Sequence, residues 1–167
     1  MKKLVICVSC LFMGLFAFSG IVYAGTATAG LTVMASIQPY AAVSVSPLDF
    51  GDLGAGGNYA TATISVWATN ELSYNIALGG GSNYLDGLRR LANETLDQFI
   101  PYELSTEEGG GSDWGDEGYG DTFPAPPTGP FTGSGSMQEY TVYGTINIGI
   151  GVAADYYEDY VLVTVNY

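Results

Sequence analysis

The sequence predicts an all-β exported domain built as a β-sandwich, and three observations support this. The chain begins with an apolar leader that is typical of exported proteins. The residues after this leader are enough for one domain. Glycine-rich turns, at 54–57 and 79–81, separate the segments that follow. Alternating or β-rich runs recur at 42–47, 60–68, 73–78, 100–105, 139–148 and 160–167. These runs favour a sandwich of the immunoglobulin kind, which normally has about seven strands or more.

Residues 1–24 have the features of an export signal. Two lysines supply a positive start, residues 4–18 form an unbroken run of apolar and small residues, and Ala24 stands at the cleavage position. The sequence therefore predicts cleavage after Ala24 and a mature chain that begins at Gly25. An uncleaved membrane anchor is the alternative, although no basic stop-transfer cluster follows the run.

The segment directly after the signal alternates without interruption. Its apolar positions are Ala27, Ala29, Leu31, Val33, Ala35 and Ile37. Because successive side chains of a strand point to opposite faces, residues 25–38 are predicted to form a strand with one apolar face, ended by Pro39. Such a strand either pairs within its own domain, as the first strand of a self-contained sandwich, or reaches a neighbouring molecule.

Removal of the signal leaves a very acidic chain. The sequence has 17 Asp and Glu residues and no His, and only Arg89 and Arg90 are basic after residue 24, so that the mature net charge is near −15. Nucleic acid is an unsuitable partner for this surface, since phosphate binding needs clustered Lys and Arg. The mature chain also lacks Cys, which together with the missing His excludes Ser-His catalysis, thiolate chemistry and the common zinc sites. We expect no cofactor.

The final run, residues 160–167, also has an apolar face, formed by Val161, Val163 and Val165. A sandwich that lacks its last strand exposes an apolar groove and an unpaired edge. The alternating N-terminal segment has the chemistry to cover such an edge. The sequence therefore predicts Val161, Val163, Val165 and Tyr167 as the C-terminal wall of an acceptor groove.

Two stretches depart from the strand pattern. Residues 84–98 contain the one helical candidate, which is short and interrupted by glycine, so that a turn or two of helix is predicted there. Residues 107–136 are rich in Gly, Pro, Asp and Ser and are predicted to form a long surface loop. Arg89 and Arg90 lie in the first stretch and are expected to pair with some of the many acids.

Composition leaves a binding module open as an alternative function. Four acidic residues are weak candidates for a calcium site: Asp113, Asp116, Glu117 and Asp121. Calcium prefers oxygen ligands, but their spacing matches no known calcium loop. Trp67, Trp114 and the 13 tyrosines offer a carbohydrate-binding face, although such residues are also typical of core edges and cross-strand pairs. Nothing among the acids singles out a glycosidase pair.

Six pieces of the mature chain follow one another in an order typical of one protein family. They are 43–51 (Val-Ser-Val-Ser-Pro-Leu-Asp-Phe-Gly), 64–66 with 74–78, 89–91, 101–104 with 114–116, 141–144, and 157–159 leading into 163–167. With these pieces the whole mature chain resembles the spore coat protein U domain family, which includes subunits of archaic chaperone-usher pili.

The resemblance implies an incomplete immunoglobulin-like sandwich that is completed by donor-strand exchange and has no enzymatic activity. A periplasmic chaperone would first lend the missing strand. At an outer-membrane usher, the N-terminal segment of a neighbouring copy or a related pilin subunit would replace it. The implied organisation is a donor strand at 25–38 and a pilin-like domain at 39–167, secreted through the periplasm to a pilus or coat at the cell surface.

The resemblance also implies the place of a missing disulfide. The family typically joins a cysteine near the start of its first core strand to one after its second, and the corresponding positions here are Ala41 and Ala68. Because both are alanine, no partner cysteine is left alone. The chain lacks a link that is commonly worth about 2–5 kcal/mol in small exported domains.

Overall fold

The computed structural model describes residues 24–54, 56–93 and 95–167, so that the predicted signal at 1–24 lies outside the described residues except for Ala24. The described residues form strands and loops without a helix, and accordingly none of them belongs to a helix able to cross a membrane. The strands are β1 Ala41–Val45, β2 Gly56–Ala68, β3 Ser73–Leu78, β4 Arg89–Asn93, β5 Gln98–Ser105, β6 Thr128–Thr132, β7 Met137–Ile148 and β8 Val163–Asn166. The predicted all-β class is confirmed.

The strands form two antiparallel sheets. The larger sheet has the order β1-β2-β7-β5-β4, and the smaller one has the order β6-β3-β8. Alternation explains the long central strand β2, because its Ala62, Ile64 and Val66 point into the core while Thr63 and Ser65 between them face outward. The core contains the fully buried side chains of Ile64 and Val66 from the larger sheet and Ile76 from the smaller one.

The prediction of helical turns within 84–98 is wrong. Leu85 and Leu88 exchange backbone hydrogen bonds of 3.1 and 3.0 Å around a turn in which Asp86 and Gly87 have φ angles of 52° and 85°. Glycine and aspartate tolerate this left-handed conformation, which ends the run before a helix could form. Strand β4 follows and pairs with β5.

The predicted surface loop at 107–136 is only partly a loop. Strand β6 lies within it and pairs with β3. Trp114 is also buried there, and its indole N–H donates a 2.7 Å hydrogen bond to the carbonyl oxygen of Ile76. The segment therefore contributes to the core, because an indole with a satisfied N–H contributes much apolar area.

The chain divides into two units, the first ending at Ser36 and the second comprising Ile37–Tyr167. No strand or bridge is assigned to residues 24–39. The predicted strand at 25–38 therefore forms no ladder within the described chain. Leu31, Val33 and Ile37 are 88%, 83% and 85% exposed, which is unusual for apolar side chains that alternate so regularly.

Ala41 and Ala68 lie directly opposite each other at the end of the β1–β2 pair. The neighbouring Thr69 N–H donates to the Tyr40 carbonyl at 2.9 Å, so that the alanine pair is a non-hydrogen-bonded one. Cα atoms in such pairs are about 4.5 Å apart, within the range of disulfides. The implied disulfide position is therefore geometrically suitable.

We expect the double variant Ala41→Cys, Ala68→Cys to form a disulfide on air oxidation and to gain about 3 kcal/mol in free energy of unfolding, because the bridge restricts the unfolded chain. Urea unfolding of the oxidised and reduced forms measures this gain. The reduced form is the matched control, and equal midpoints for the two forms would show that the bridge strains the native pair.

Candidate functional site

Two open strand edges lie side by side in this sandwich. Strand β1 ends the larger sheet and strand β8 ends the smaller one. The two strands approach each other with Cα atoms within 8 Å. Each has a hydrogen-bonded neighbour on one side only, β2 for β1 and β3 for β8. The other sides present backbone N–H and C=O groups that a further strand could pair with.

The inward-facing side chains of β1 are left partly uncovered. Val43 lies opposite Val66 and Val45 lies opposite Ile64, so that all four side chains point to the core side of the sheet. Val66 and Ile64 are 0% exposed, whereas Val43 and Val45 are 38% and 44% exposed. The apolar face of β1 therefore continues past the packed core into solvent.

Strand β8 repeats this arrangement in the smaller sheet. Val163 and Val165 lie opposite Leu78 and Ile76. Leu78 and Ile76 are fully buried, whereas the two valines pack on the core but are only half-buried. Together with Val43 and Val45 they form a set of partly exposed valines along the two neighbouring open edges, and we call this region the β1/β8 slot.

The chain after β1 is fixed by a tight turn and by a glycine. The Gly51 N–H donates to the Asp49 carboxylate at 2.8 Å, and Gly51 itself has a φ of 69°. Leu48 and Phe50 pack over Gly144 of β7, where an added Cβ would come within 2.8 and 3.0 Å of them. Because Gly144 has no side chain, this segment can lie directly on the core face of the larger sheet.

The residues predicted as the acceptor wall lie on β8 and beside it. Val163 and Val165 belong to β8, and Val161 packs against the core just before that strand. Tyr167 follows β8 and is largely exposed. Val43 and Val45 were not predicted as slot residues. Their alternation with serine is visible in the sequence, but only the neighbouring strands determine which valines remain uncovered.

Arg89 of β4 is buried beside the strand that supports β8. Its Nε and Nη2 donate to the carbonyl oxygens of Gly79, Leu78 and Trp114 at 2.9, 2.8 and 2.7 Å. The Gly79 N–H in turn donates to the Leu162 carbonyl at 2.9 Å. Arg89 therefore joins β4 to the end of β3 and, through Gly79, to the segment that enters β8.

The surroundings of Arg89 are unusual for a cation. Its guanidinium carbon lies 3.8 Å from the centre of the Phe123 ring, and Nη1 is buried with no hydrogen-bond partner among the described residues. Burial lowers the pKa of this guanidinium, although nearby groups that include Asp113 and Asp116 counteract the effect. The hydrogen bonds of Arg89 go to backbone carbonyls, and that of Arg90 goes to the Asn83 carbonyl, in place of the carboxylates expected from the sequence.

The acidic calcium candidates serve to fold their own loop. The Asp116 carboxylate accepts hydrogen bonds from the Phe123 N–H at 2.6 Å and the Thr122 hydroxyl at 2.7 Å. Burial opposes its ionisation, but these bonds prevail and hold the pKa of Asp116 below its usual value. Asp121 similarly accepts the Gly118 N–H. Within the described chain, no group of three or more potential metal-ligating side chains comes together.

The two tryptophans do not share a surface that could bind carbohydrate. Trp114 is buried in the core, whereas Trp67 is partly exposed beside Met137 on the outer face of the larger sheet. Tyr74 of β3 is buried, and its hydroxyl forms a 2.7 Å hydrogen bond with that of Tyr140 on β7. These two tyrosines therefore connect the two sheets.

The model of the Spore Coat Protein U domain family matches residues 27–164 of the chain. No curated protein matches this chain. Among solved structures, one similar chain comes from the crystal structure of the CsuC–CsuE chaperone–tip adhesion subunit pre-assembly complex, from archaic chaperone-usher Csu pili of Acinetobacter baumannii. The two chains are 16% identical with a TM-score of 0.57, over 78% of this chain and 40% of that one. This chain thus spans less than half the length of its structural neighbour, and the likeness concerns the fold.

Proposed function

The chain belongs to the Spore Coat Protein U domain family, and from this membership we propose that it is a subunit of a secreted pilus or surface coat assembled by the chaperone-usher route. The family is structural and pilin-like, so the chain is not an enzyme. We propose further that the sandwich is an incomplete immunoglobulin-like fold. In the assembled state, the N-terminal segment of one copy or of a related subunit fills the β1/β8 slot of the next.

The observation that carries this proposal is the match between an open slot and an exposed strand-like segment. The slot has a row of half-exposed valines and an unpaired backbone edge on each side. Residues 25–38 have one row of apolar side chains and no ladder of their own. If the segment lay between β1 and β8, its backbone groups would pair with the open strand edges. Its apolar side chains would then cover the half-exposed valines.

The distribution of charge also supports this joint. The chain carries 17 acidic residues, but none lies in 25–38, in 40–48 or in 160–167. Copies of so acidic a protein repel one another at most surfaces. A joint made from uncharged segments places no carboxylate in the apolar slot, where burying an unpaired charge would be costly.

Apolar burial and backbone pairing would both stabilise such a joint. Burying Leu31, Val33 and Ile37 contributes about 1.5–3 kcal/mol each, and the alanines contribute less. Each ladder hydrogen bond adds about 0.5–1.5 kcal/mol. These gains act against the cost of ordering the segment, which is about 1–2 kcal/mol for each residue.

Before assembly, the open slot needs a temporary partner. An exposed apolar groove with two free edges is an aggregation hazard. The structural neighbour is described as a chaperone–subunit pre-assembly complex. We propose that a periplasmic chaperone likewise covers the slot of this chain, and that an outer-membrane usher exchanges it for the incoming donor segment at the cell surface.

We expect Val33→Asp to abolish multimers while leaving the subunit able to bind its chaperone. The carboxylate would enter an apolar slot at a cost of about 2–4 kcal/mol, or more than about thirtyfold in affinity. Unheated samples on a denaturing gel measure the multimer ladder.

Thr32→Asp is the matched control, because residue 32 points to the opposite face of the strand and its carboxylate would remain in water. We expect this variant to retain its ladder. Normal ladders from Val33→Asp, or equal loss from both variants, would contradict the face-specific donor role.

A further inference from the structure

A polar cleft of about 620 Å³ lies between three segments of the sandwich. Ser82 and Asn83 form one side, Asn93 and Thr95 another, and residues 155–160 the third. Its volume lies within the range of about 300–1,000 Å³ that is typical of small-molecule sites. The pilus role described above makes no use of it.

The walls of this cleft are held by backbone and partly buried side-chain hydrogen bonds. Ala92 and Glu158 exchange backbone bonds of 2.9 and 3.0 Å. The backbone and side-chain N–H groups of Asn83 both donate to the Asp159 carboxylate at 3.1 Å, and the Asn93 amide donates to the Tyr156 carbonyl at 2.9 Å. The cleft is therefore preformed, which lowers the entropy lost when a ligand binds.

Two tyrosines in the third segment are exposed, although the hydroxyl of one of them, Tyr156, donates a 3.3 Å hydrogen bond to the Glu158 carboxylate. Tyr157 packs against the core, and its hydroxyl donates to Gln98 at 2.8 Å. By contrast, Tyr156 and Tyr160 are each 72% exposed and line the cleft. Two exposed aromatic rings at the rim of one cleft provide flat apolar faces beside polar groups, the combination that binds the C–H faces of a sugar ring.

The polar groups of the cleft are mainly hydrogen-bond acceptors. Asp155 and Glu158 present exposed carboxylates, one oxygen of each already accepting a hydrogen bond from Tyr156, and Ser82 and Thr95 add hydroxyls. Arg90 does not line the cleft: its guanidinium stacks 4.2 Å from the Phe99 ring, and its Nε–H donates to the Asn83 carbonyl. The cleft therefore suits a ligand rich in O–H donors and repels an anionic one.

We propose that this cleft binds a neutral saccharide. The rings of Tyr156 and Tyr160 stack on the sugar, and the carboxylates of Asp155 and Glu158 accept hydrogen bonds from its hydroxyl groups. A fibre or coat built from such subunits would carry one saccharide site for each copy. The site does not depend on the β1/β8 slot, so its failure would leave the assembly role unaffected.

Calorimetric titration of the full chain tests this proposal with three trisaccharides at millimolar concentration: neutral N-acetylglucosamine trimer, its cationic deacetylated form, and anionic galacturonic acid trimer. We expect the neutral trimer to bind and the anionic one not to bind. Tyr156→Ala and Tyr160→Ala should each weaken binding about tenfold, because each removes one stacking face. Both side chains are exposed, so that we expect the fold to persist.

Tyr59→Ala is the matched control, since Tyr59 is equally exposed but lies on β2, outside the cleft. We expect it to bind the neutral trimer as the parent chain does. Absence of heat with the neutral trimer, equal weakening by Tyr59→Ala, or binding of the cationic trimer alone would each overturn the proposal, the last by showing a cation site.

Discussion

Replacing Arg89 by leucine should lower the free energy of unfolding by about 3–5 kcal/mol. The guanidinium donates to three carbonyl groups, and hydrogen bonds to a charged partner contribute about 1.5–3 kcal/mol each. The leucine variant no longer has a buried charge to desolvate, and this gain offsets part of the loss. Arg89 is 1% exposed, so that the carbonyls left behind would have little access to water.

Arg90→Leu is the matched control for this experiment. Arg90 makes a single 2.9 Å hydrogen bond to the Asn83 carbonyl and stacks on Phe99, and it is only partly buried. We expect it to cost about 1 kcal/mol. Urea unfolding of both variants measures the difference. Equal losses would show that the buried arginine does not hold the end of β3 in place.

The sequence predicted the strands whose alternation is local. The central run of β2 and the first half of β3 follow from residues that alternate between apolar and polar. Strand β4 was missed because its residues, Arg-Arg-Leu-Ala-Asn, favour helix as much as strand. Pairing of Leu91 with Ile100 and burial of Arg89 decide its conformation, and both are tertiary contacts.

The candidate site was predictable only in part for the same reason. The apolar face of residues 25–38 and the valine alternation near the C-terminus are local patterns. The exposure of Val43 and Val45 depends on which strand lies beside β1, and no local pattern contains that information. The polar cleft combines residues from three distant segments, so that sequence spacing gave no signal for it.

Moving residues 26–38 to a flexible linker after Tyr167 should yield a stable monomer. The transplanted strand would enter the β1/β8 slot of its own chain, because the linker supplies a high effective concentration. It would cover Val43, Val45, Val163 and Val165 and pair with both open edges. The slot would then be unavailable to a neighbour.

The comparison chain is one shortened to begin at Pro39, which retains the slot but has no donor segment. We expect it to aggregate or to require a chaperone, since its apolar groove and edges stay open. Trypsin provides a second readout, because Arg89 and Arg90 are the only basic residues after residue 24. Cleavage there requires β4 to open, so that the transplanted chain should resist the protease far longer.

The molar mass of these two chains in solution, measured by light scattering after size exclusion, shows directly whether a donor strand completes the sandwich. If it does, we expect a single monomeric species for the transplanted chain, and aggregates or no soluble protein for the chain that begins at Pro39. A stable, soluble monomer from the shortened chain would contradict it, because the sandwich would then be complete without a donor strand.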